Sequence, residues 1–387
     1  MPEPAEAPTA DLASDLMKDR PVPRLGPTGP RSYVPALQAL RGLAALWVVV
    51  YHLSLMLAGE GVARLGVSGI RVGWLGVDLF FVLSAYLLGQ PFLDGRAQRY
   101  GRFLLDRFLR IAPAYYVAGI LAVVVLMTLQ PKAWHPMEAL ASLVFASNTT
   151  GETLFGVNPV FWSLAVEMQF YVLLPLLALL FKGDRWPWGL ALCVATSLLF
   201  RGLTFVYGGE GGLIAGTFWL PAFLGHFGLG LAAARLRFVR TPFLAAGAGF
   251  LLIGLPVATW IPATSFGYGF ESLPGQVLVR PLAGAGFALL ILAAATPGKV
   301  RRALEVAPLK VLGDLSYSLY LVHLPIHTIV AWVVDMHADR ALFVMLAIAA
   351  DLIYAATLYG LVELPGERWR HRRKAKARAL AGLAGPG

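Results

Sequence analysis

The chain has 387 residues, 58% of them hydrophobic and 14% charged. Soluble domains carry roughly a quarter charged residues, so this composition excludes a soluble globular enzyme, a disordered chain and a collagen-like fibre. The formal charge of +10 is spread unevenly along the chain.

Residues 1–35 mix Pro and Ala with both signs of charge (Glu3, Glu6, Asp11, Asp15 and Asp19 against Lys18, Arg20, Arg24 and Arg31) and read as a flexible tail. They do not read as a signal peptide, because no short apolar core follows a basic start. Ten apolar stretches long enough to span a bilayer follow: 36–58, 72–93, 112–130, 159–181, 186–206, 213–234, 241–260, 277–296, 311–333 and 341–363. The stretch 138–147 is apolar but too short to cross, and reads as an interfacial or re-entrant piece.

The basic residues set a direction. With the N-terminus placed in the cytoplasm, 25 of the 32 Lys and Arg fall in inside segments. Four (Arg64, Arg71, Lys132 and Arg340) fall in outside loops and three (Arg41, Arg201 and Arg280) within spans. This split follows the positive-inside rule. The expectation is an all-α polytopic membrane protein of about ten transmembrane helices with both termini cytoplasmic. It comprises a tail over 1–35, a transmembrane domain over 36–363 and a basic tail over 364–387. The run Arg368–Arg378 directly follows a span, so it reads as a topology anchor meeting anionic lipid and not as a nucleic-acid site.

Cys193 lies in an apolar stretch and reads as a buried, inert thiol. No paired Cys/His spacing suggests a metal, and there is no phosphate-binding glycine loop.

Ionisable residues at bilayer depth are costly, each by at least roughly 2.5–3.5 kcal/mol, so they are functional suspects. Here they are Arg41, His52, Asp78, Glu167, Arg201, His226, Arg280, His323, His327, Asp351 and Glu363. Arg41 and His52 are eleven positions apart, which places them on one helix face about 16 Å apart along the axis. Arg41 then lies near the cytoplasmic surface, either as a snorkelling anchor or at the mouth of a groove that His52 enters more deeply. Asp78, near the start of the second span, reads as an interfacial carboxylate or as a partner for His52. Arg107 and Arg110 share a face at the mouth of the third span, as an amphipathic surface helix or as a phosphate clamp. Glu167 sits about two turns into the fourth span, as half of a structural ion pair or as the group that orients a catalytic histidine. Ser316, Tyr320 and His323 fall near one face of the ninth span, as polar glue or as a hydroxyl-lined path. Glu363, followed by Pro365, closes the last span, where an ion pair with a basic neighbour is expected.

Six blocks in this order resemble the membrane-bound acyltransferase-3 family of bacterial-type O-acyltransferases acting on sugars and natural products. They are the Arg–ten residues–His pattern of Arg41 and His52, GWLGVDLFFVLSAYLLG at 73–89, RFLRIAPAYY at 107–116, WSLAVEMQFYVLLP at 162–175, LGDLSYSLYLVH at 312–323 and the Glu363–Pro365 ending. Ala85 departs from the family pattern, which has Gly after the serine. The fused hydrolase-like domain of some members is not expected after the last span, so the chain would act alone or with a separate partner.

The resemblance implies transfer of an acyl group, acetyl or another short chain, from cytoplasmic acyl-CoA to a hydroxyl of a sugar, glycolipid or natural-product acceptor. It implies a multi-pass protein of the cell membrane, with no nucleic acid and no metal among its partners. Arg41, Arg107 and Arg110 would hold CoA phosphates, which suits guanidinium geometry. His52 would be the general base or, in a variant of the same chemistry, an acylated nucleophile. Asp78 or Glu167 would orient it, as a triad carboxylate does. Trp162, Ser163, Ser316, Tyr320 and His323 would line the substrate path. The contrasting expectation is a proton-coupled transporter that uses the buried His, Asp and Glu as a relay.

Overall fold

The computed structural model describes residues 34–57, 68–97, 99–133, 135–260, 272–336 and 338–383. Residues 1–33 of the tail expected over 1–35, Arg64 and the last four residues lie outside them. Long helices run in chain order as α1 (Pro35–Met56), α2 (Leu75–Leu93), α3 (Tyr100–Leu129), α4 (Phe161–Leu180), α5 (Trp186–Tyr207), α6 (Leu220–Leu236), α7 (Pro242–Trp260), α8 (Arg280–Ala295), α9 (Ala307–Val333), α10 (Arg340–Leu358) and α11 (Leu364–Leu383). No strand occurs among the described residues. In lipid this is the expected solution, because a helix satisfies its own backbone hydrogen bonds.

Nine helical stretches among the described residues are long and apolar enough to cross a membrane. The ninth expected span, 311–333, is not one of them, although α9 forms a 27-residue helix there. Its polarity has a structural reason. Ser316, Ser318, His323 and His327 are all at most 1% exposed, so they meet neighbouring helices and not lipid. The opposite extreme is α7, only 17% buried over its apolar window against 78% for the stretch containing α6. Thus α6 is central and α7 peripheral.

Several boundaries differ from the sequence reading. The third span is part of a 30-residue helix that continues through Pro113, so Arg107 and Arg110 are rigidly joined to it. The sixth breaks at Trp219, whose backbone is extended, because Pro221 lacks the N–H that would bond into the preceding turn. The helical path of the tenth expected span, 341–363, does not stop at Glu363. A π turn over Tyr359–Glu363 leads directly into α11, and the wider turn accommodates the bond that Pro365 cannot make. The apolar piece 138–147 overlaps a short helix, Pro136–Leu143, tied to α3 where the Tyr115 hydroxyl donates to the Ser142 carbonyl at 2.7 Å. Met137, Leu140, Leu143 and Val144 stay exposed, as an interfacial piece requires.

Packing is densest among aromatic residues of α2, α4 and α6. Phe170 stacks on Phe227 at 3.9 Å, and Phe81 contacts Phe223 edge-on at 4.7 Å. Helices α1 and α9 meet differently, at Gly42 and Gly313. A Cβ on Gly313 would lie 2.3 Å from the Gln38 carbonyl oxygen, and one on Gly42 would lie 2.6 Å from the Gly313 amide nitrogen. Only glycine allows this approach, a small-residue contact of the kind that replaces hydrophobic driving force in lipid. His52 follows Gly42 by ten residues, and His323 follows Gly313 by ten. The two helices run parallel, so the glycine contact brings the two histidines to the same level.

Candidate active site

At the far end of α1, His52 is half-buried and its Nδ1 lies 3.0 Å from Nε2 of the fully buried His323. Nδ1 of His323 lies 2.9 Å from the Tyr320 carbonyl. Behind His323, His327 packs edge-on at 5.5 Å between ring centroids. Nε2 of His327 is 2.8 Å from Asp351 Oδ2 on α10. The expected carboxylate partner of His52 is therefore replaced by an imidazole.

The start of α4 is fastened beside this pair. The Ser163 and Tyr320 hydroxyls share a 2.7 Å hydrogen bond, and Asn158 Nδ2 donates to the Leu321 carbonyl at 2.9 Å. Ser163 and Tyr320 thus flank the histidines. Ser316 does not face a path, because its hydroxyl donates to the Gly313 carbonyl of its own helix at 2.7 Å. Trp162 is packed among Phe81, Phe218 and Phe223 in the core.

The other end of α1 gathers charge. Arg41, half-buried, donates to Gln38 Oε1 at 3.3 Å, and the charges acting on it are those of Arg110, Glu167 and Glu363. Glu167 Oε1 accepts from the hydroxyls of Ser84 and Tyr171, each at 2.6 Å. Glu363 accepts from Ser318 Oγ at 2.5 Å and lies 3.7 Å from Arg110, which also pairs with Glu367. Arg370 of α11 donates to the Leu109 carbonyl at 2.7 Å and so joins this end. Nε of Arg107 is buried and finds no acceptor among the described residues. Guanidinium groups have the fork geometry that suits carboxylate and phosphate oxygens, and Arg41, Arg107 and Arg110 are gathered at this end.

Neither expected carboxylate reaches His52. Helix α4 passes the level of Tyr320 at Ser163, and Glu167 is one further turn toward the arginines. Asp78 is turned away from α1. Gly76 abuts Ala44 and Val48 of α1, and two residues later the helix has rotated about 200°. Asp78 therefore faces α6 and α8, with Oδ2 3.6 Å from His226 Nε2 and the charges of Arg280 and Arg201 nearby. Arg201 donates to the Ala222 carbonyl and to Gln276 Oε1, at 2.9 and 2.7 Å. Arg280 lies over the Trp74 ring at 4.7 Å. This buried group of Asp78, His226, Arg201 and Arg280 joins α2, α5, α6 and α8.

Sequence reasoning did not find the pairing of His52 with His323, nor that of His327 with Asp351. The Glu167–Tyr171 bond was legible, because the two residues are four positions apart on one helix. Among the described residues no group of three or more His, Cys, Asp or Glu side chains is arranged to hold a metal ion.

These features define a multi-pass membrane protein with a hydrogen-bonded histidine pair toward one end of a helix and a cluster of arginines at the other. A family model described as an acyltransferase domain matches residues 34–359, and the chain belongs to that family, acyltransferase-3. Over 371 residues it is 26% identical to the peptidoglycan O-acetyltransferase OatA of Listeria monocytogenes, covering 87% of this chain and 56% of that protein. It is 32% identical over 161 residues to the O-acetyltransferase OatA of Staphylococcus aureus, covering 37% of this chain and 24% of that one. A candidate acetyltransferase of Acidianus two-tailed virus, ORF330, is 28% identical over 294 residues, covering 76% of this chain and 83% of its own length. The chain thus spans about half the length of the Listeria relative. No solved structure matches it.

Proposed function

We propose that the protein is a membrane-embedded O-acyltransferase that moves an acetyl or other short acyl group from acyl-CoA to a hydroxyl of a carbohydrate or glycosylated acceptor. The observation that carries the reading is α1 itself. It holds an imidazole at one end and joins an arginine cluster at the other, about 16 Å away along its axis. An extended pantetheine arm matches that span. Arg41, Arg107 and Arg110 would hold the phosphates, and the positive-inside split of the basic residues supports a cytoplasmic position for this end. The name of the Listeria relative, a peptidoglycan O-acetyltransferase, supports a cell-wall or other sugar acceptor.

In this reading His52 takes the proton of the acceptor hydroxyl as its oxygen attacks the thioester carbonyl. The ester bond forms, the carbon–sulfur bond breaks, and the imidazolium returns its proton to the departing thiolate. A positioned base of this kind contributes on the order of 10²–10⁴ in rate. Glu167, placed beside Arg41, would balance the arginine charge and not act on His52. Asp78 would hold the helices around His226 in register.

The transporter reading loses its relay. Nδ1 of His323 is engaged by a backbone carbonyl, and the His323 and His327 rings meet edge-on without a direct hydrogen bond between them. The test is release of CoA thiol by the purified protein supplied with acetyl-CoA and a soluble sugar such as N-acetylglucosamine. Wild type should release thiol and transfer label to the sugar. His52→Ala should lose the transfer, and Arg41→Ala should raise the KM for acetyl-CoA. Full transfer by His52→Ala would refute the reading, and solute flux in proteoliposomes without acyl-CoA would favour a transporter.

A further inference from the structure

The bonds around the histidine pair place a proton on a particular nitrogen of each ring. A carbonyl oxygen only accepts. Nδ1 of His323, 2.9 Å from the Tyr320 carbonyl and 3.3 Å from that of Leu319, must therefore carry hydrogen. A neutral imidazole has one N–H, so Nε2 of His323 presents a lone pair. That lone pair faces Nδ1 of His52 at 3.0 Å, so this nitrogen is the donor of His52. The Val48 backbone carbonyl, one turn back on α1, also accepts from the His52 ring, and with a single N–H on a neutral imidazole the two acceptors share that hydrogen. The lone pair of His52 is left on Nε2.

We propose that His323 is a positioning residue that fixes His52 in the Nδ1–H tautomer, so that Nε2 is the atom that accepts the proton of the acceptor hydroxyl. The proposal rests on the reading of His52 as the base. An imidazole without a partner populates both tautomers, and a base held in the wrong one presents an N–H where its lone pair is needed. In a serine-protease triad a carboxylate fixes the tautomer and stabilises the imidazolium. Here a neutral ring supplies the acceptor, so no carboxylate charge is buried beside the base.

Two features hold that acceptor in place. The Tyr320 carbonyl fixes the rotation of the His323 ring. His327, anchored by Asp351, packs against the edge of His323. Because the His323 Nδ1–H is committed to a carbonyl, the proton that His52 takes stays on His52 until the departing thiolate removes it. Atoms and charge balance within the two reactants and one imidazole.

The test uses the full chain in detergent without acyl-CoA. Nitrogen-15 spectra of histidine-labelled protein resolve both ring nitrogens of each of the seven histidines, and His52→Asn identifies the His52 signals. Wild type should show His52 protonated at Nδ1 and bare at Nε2. His323→Met should shift His52 toward the other tautomer. It should also lower kcat for acyl transfer on the order of 10²-fold with the KM for acetyl-CoA unchanged. His323→Gln, of similar length but with an oxygen that accepts from Nδ1–H, should restore the tautomer and most of the turnover. A wild-type His52 protonated at Nε2, or a tautomer unmoved in folded His323→Met, overturns the proposal. If neither variant folds, the wild-type protein decides through the scalar coupling across the His52 Nδ1–H to His323 Nε2 bond: its presence supports the proposal and its absence overturns it. The assigned tautomer in a protein that transfers no acyl group would refute the acyltransferase reading and leave only the positioning of the His52 ring by His323 standing.

Discussion

Replacing Gly313 by alanine tests how the bundle sets the histidine pair. The new Cβ would sit 2.3 Å from the Gln38 carbonyl oxygen, where ordinary contact begins near 3.4 Å. The shortfall is about 1 Å, and the obstacle is backbone, which cannot swing aside as a side chain can. Helices α1 and α9 must therefore separate or slide by roughly that amount, at a cost of about 1–3 kcal/mol for overpacking. Both histidines are ten residues further along rigid helices, so much of the displacement reaches them. A 3.0 Å hydrogen bond lengthened by even half of it passes out of the useful range. The expected result is a lower Tm together with a fall in kcat of at least about 10-fold, set against the 10²–10⁴ that a positioned base supplies. Thermal unfolding and thiol release on the same preparation read both quantities. A Gly313→Ala protein with unchanged kcat and an intact His52–His323 bond would show that the glycine contact does not set the register of the pair.

Other expectations follow from the same geometry. Arg107→Ala should raise the KM for acetyl-CoA roughly 10–100-fold, the worth of a charge-assisted hydrogen bond. It should leave turnover of acetyl-pantetheine, which lacks the nucleotide phosphates, unchanged; an equal effect on both donors would argue against a phosphate contact. Glu167→Gln keeps an acceptor for the Ser84 and Tyr171 hydroxyls, so its effect should fall on the donor KM. A 10²-fold loss of kcat with that KM unchanged would return Glu167 to the role of orienting His52. Asp351→Leu strips buried His327 of its partner and should lower stability by about 1–3 kcal/mol. Asp351→Asn, which retains an oxygen acceptor, should cost less, and equal Tm values for the two would contradict the pairing seen here.

Much of the architecture was readable before the fold. The apolar lengths, the sidedness of the basic residues and the shared face of Arg41 and His52 depend only on bilayer thickness, charge and the rise of a helix. The arginine end was legible in part, because Arg107 and Arg110 are three residues apart. That they are rigidly continuous with α3 was not, since a span read from apolar length begins at 112 while the helix itself starts at Tyr100 and carries Pro113 within it.

The partners of the buried groups were decided elsewhere. Depth along a span predicts which residues share a level, and by that rule Asp78 and Glu167 were candidates for His52. Which face a helix turns to its neighbour is set by contacts such as Gly76 on Ala44 and Gly42 on Gly313, and these rotate Asp78 toward His226 while bringing in His323 from 271 positions away. The sequence determined that an imidazole would sit deep in the bundle with an arginine at the mouth. Tertiary packing decided that another imidazole, and not a carboxylate, would hold it, because the close approach of α1 and α9 depends on small residues whose pairing no hydropathy pattern records.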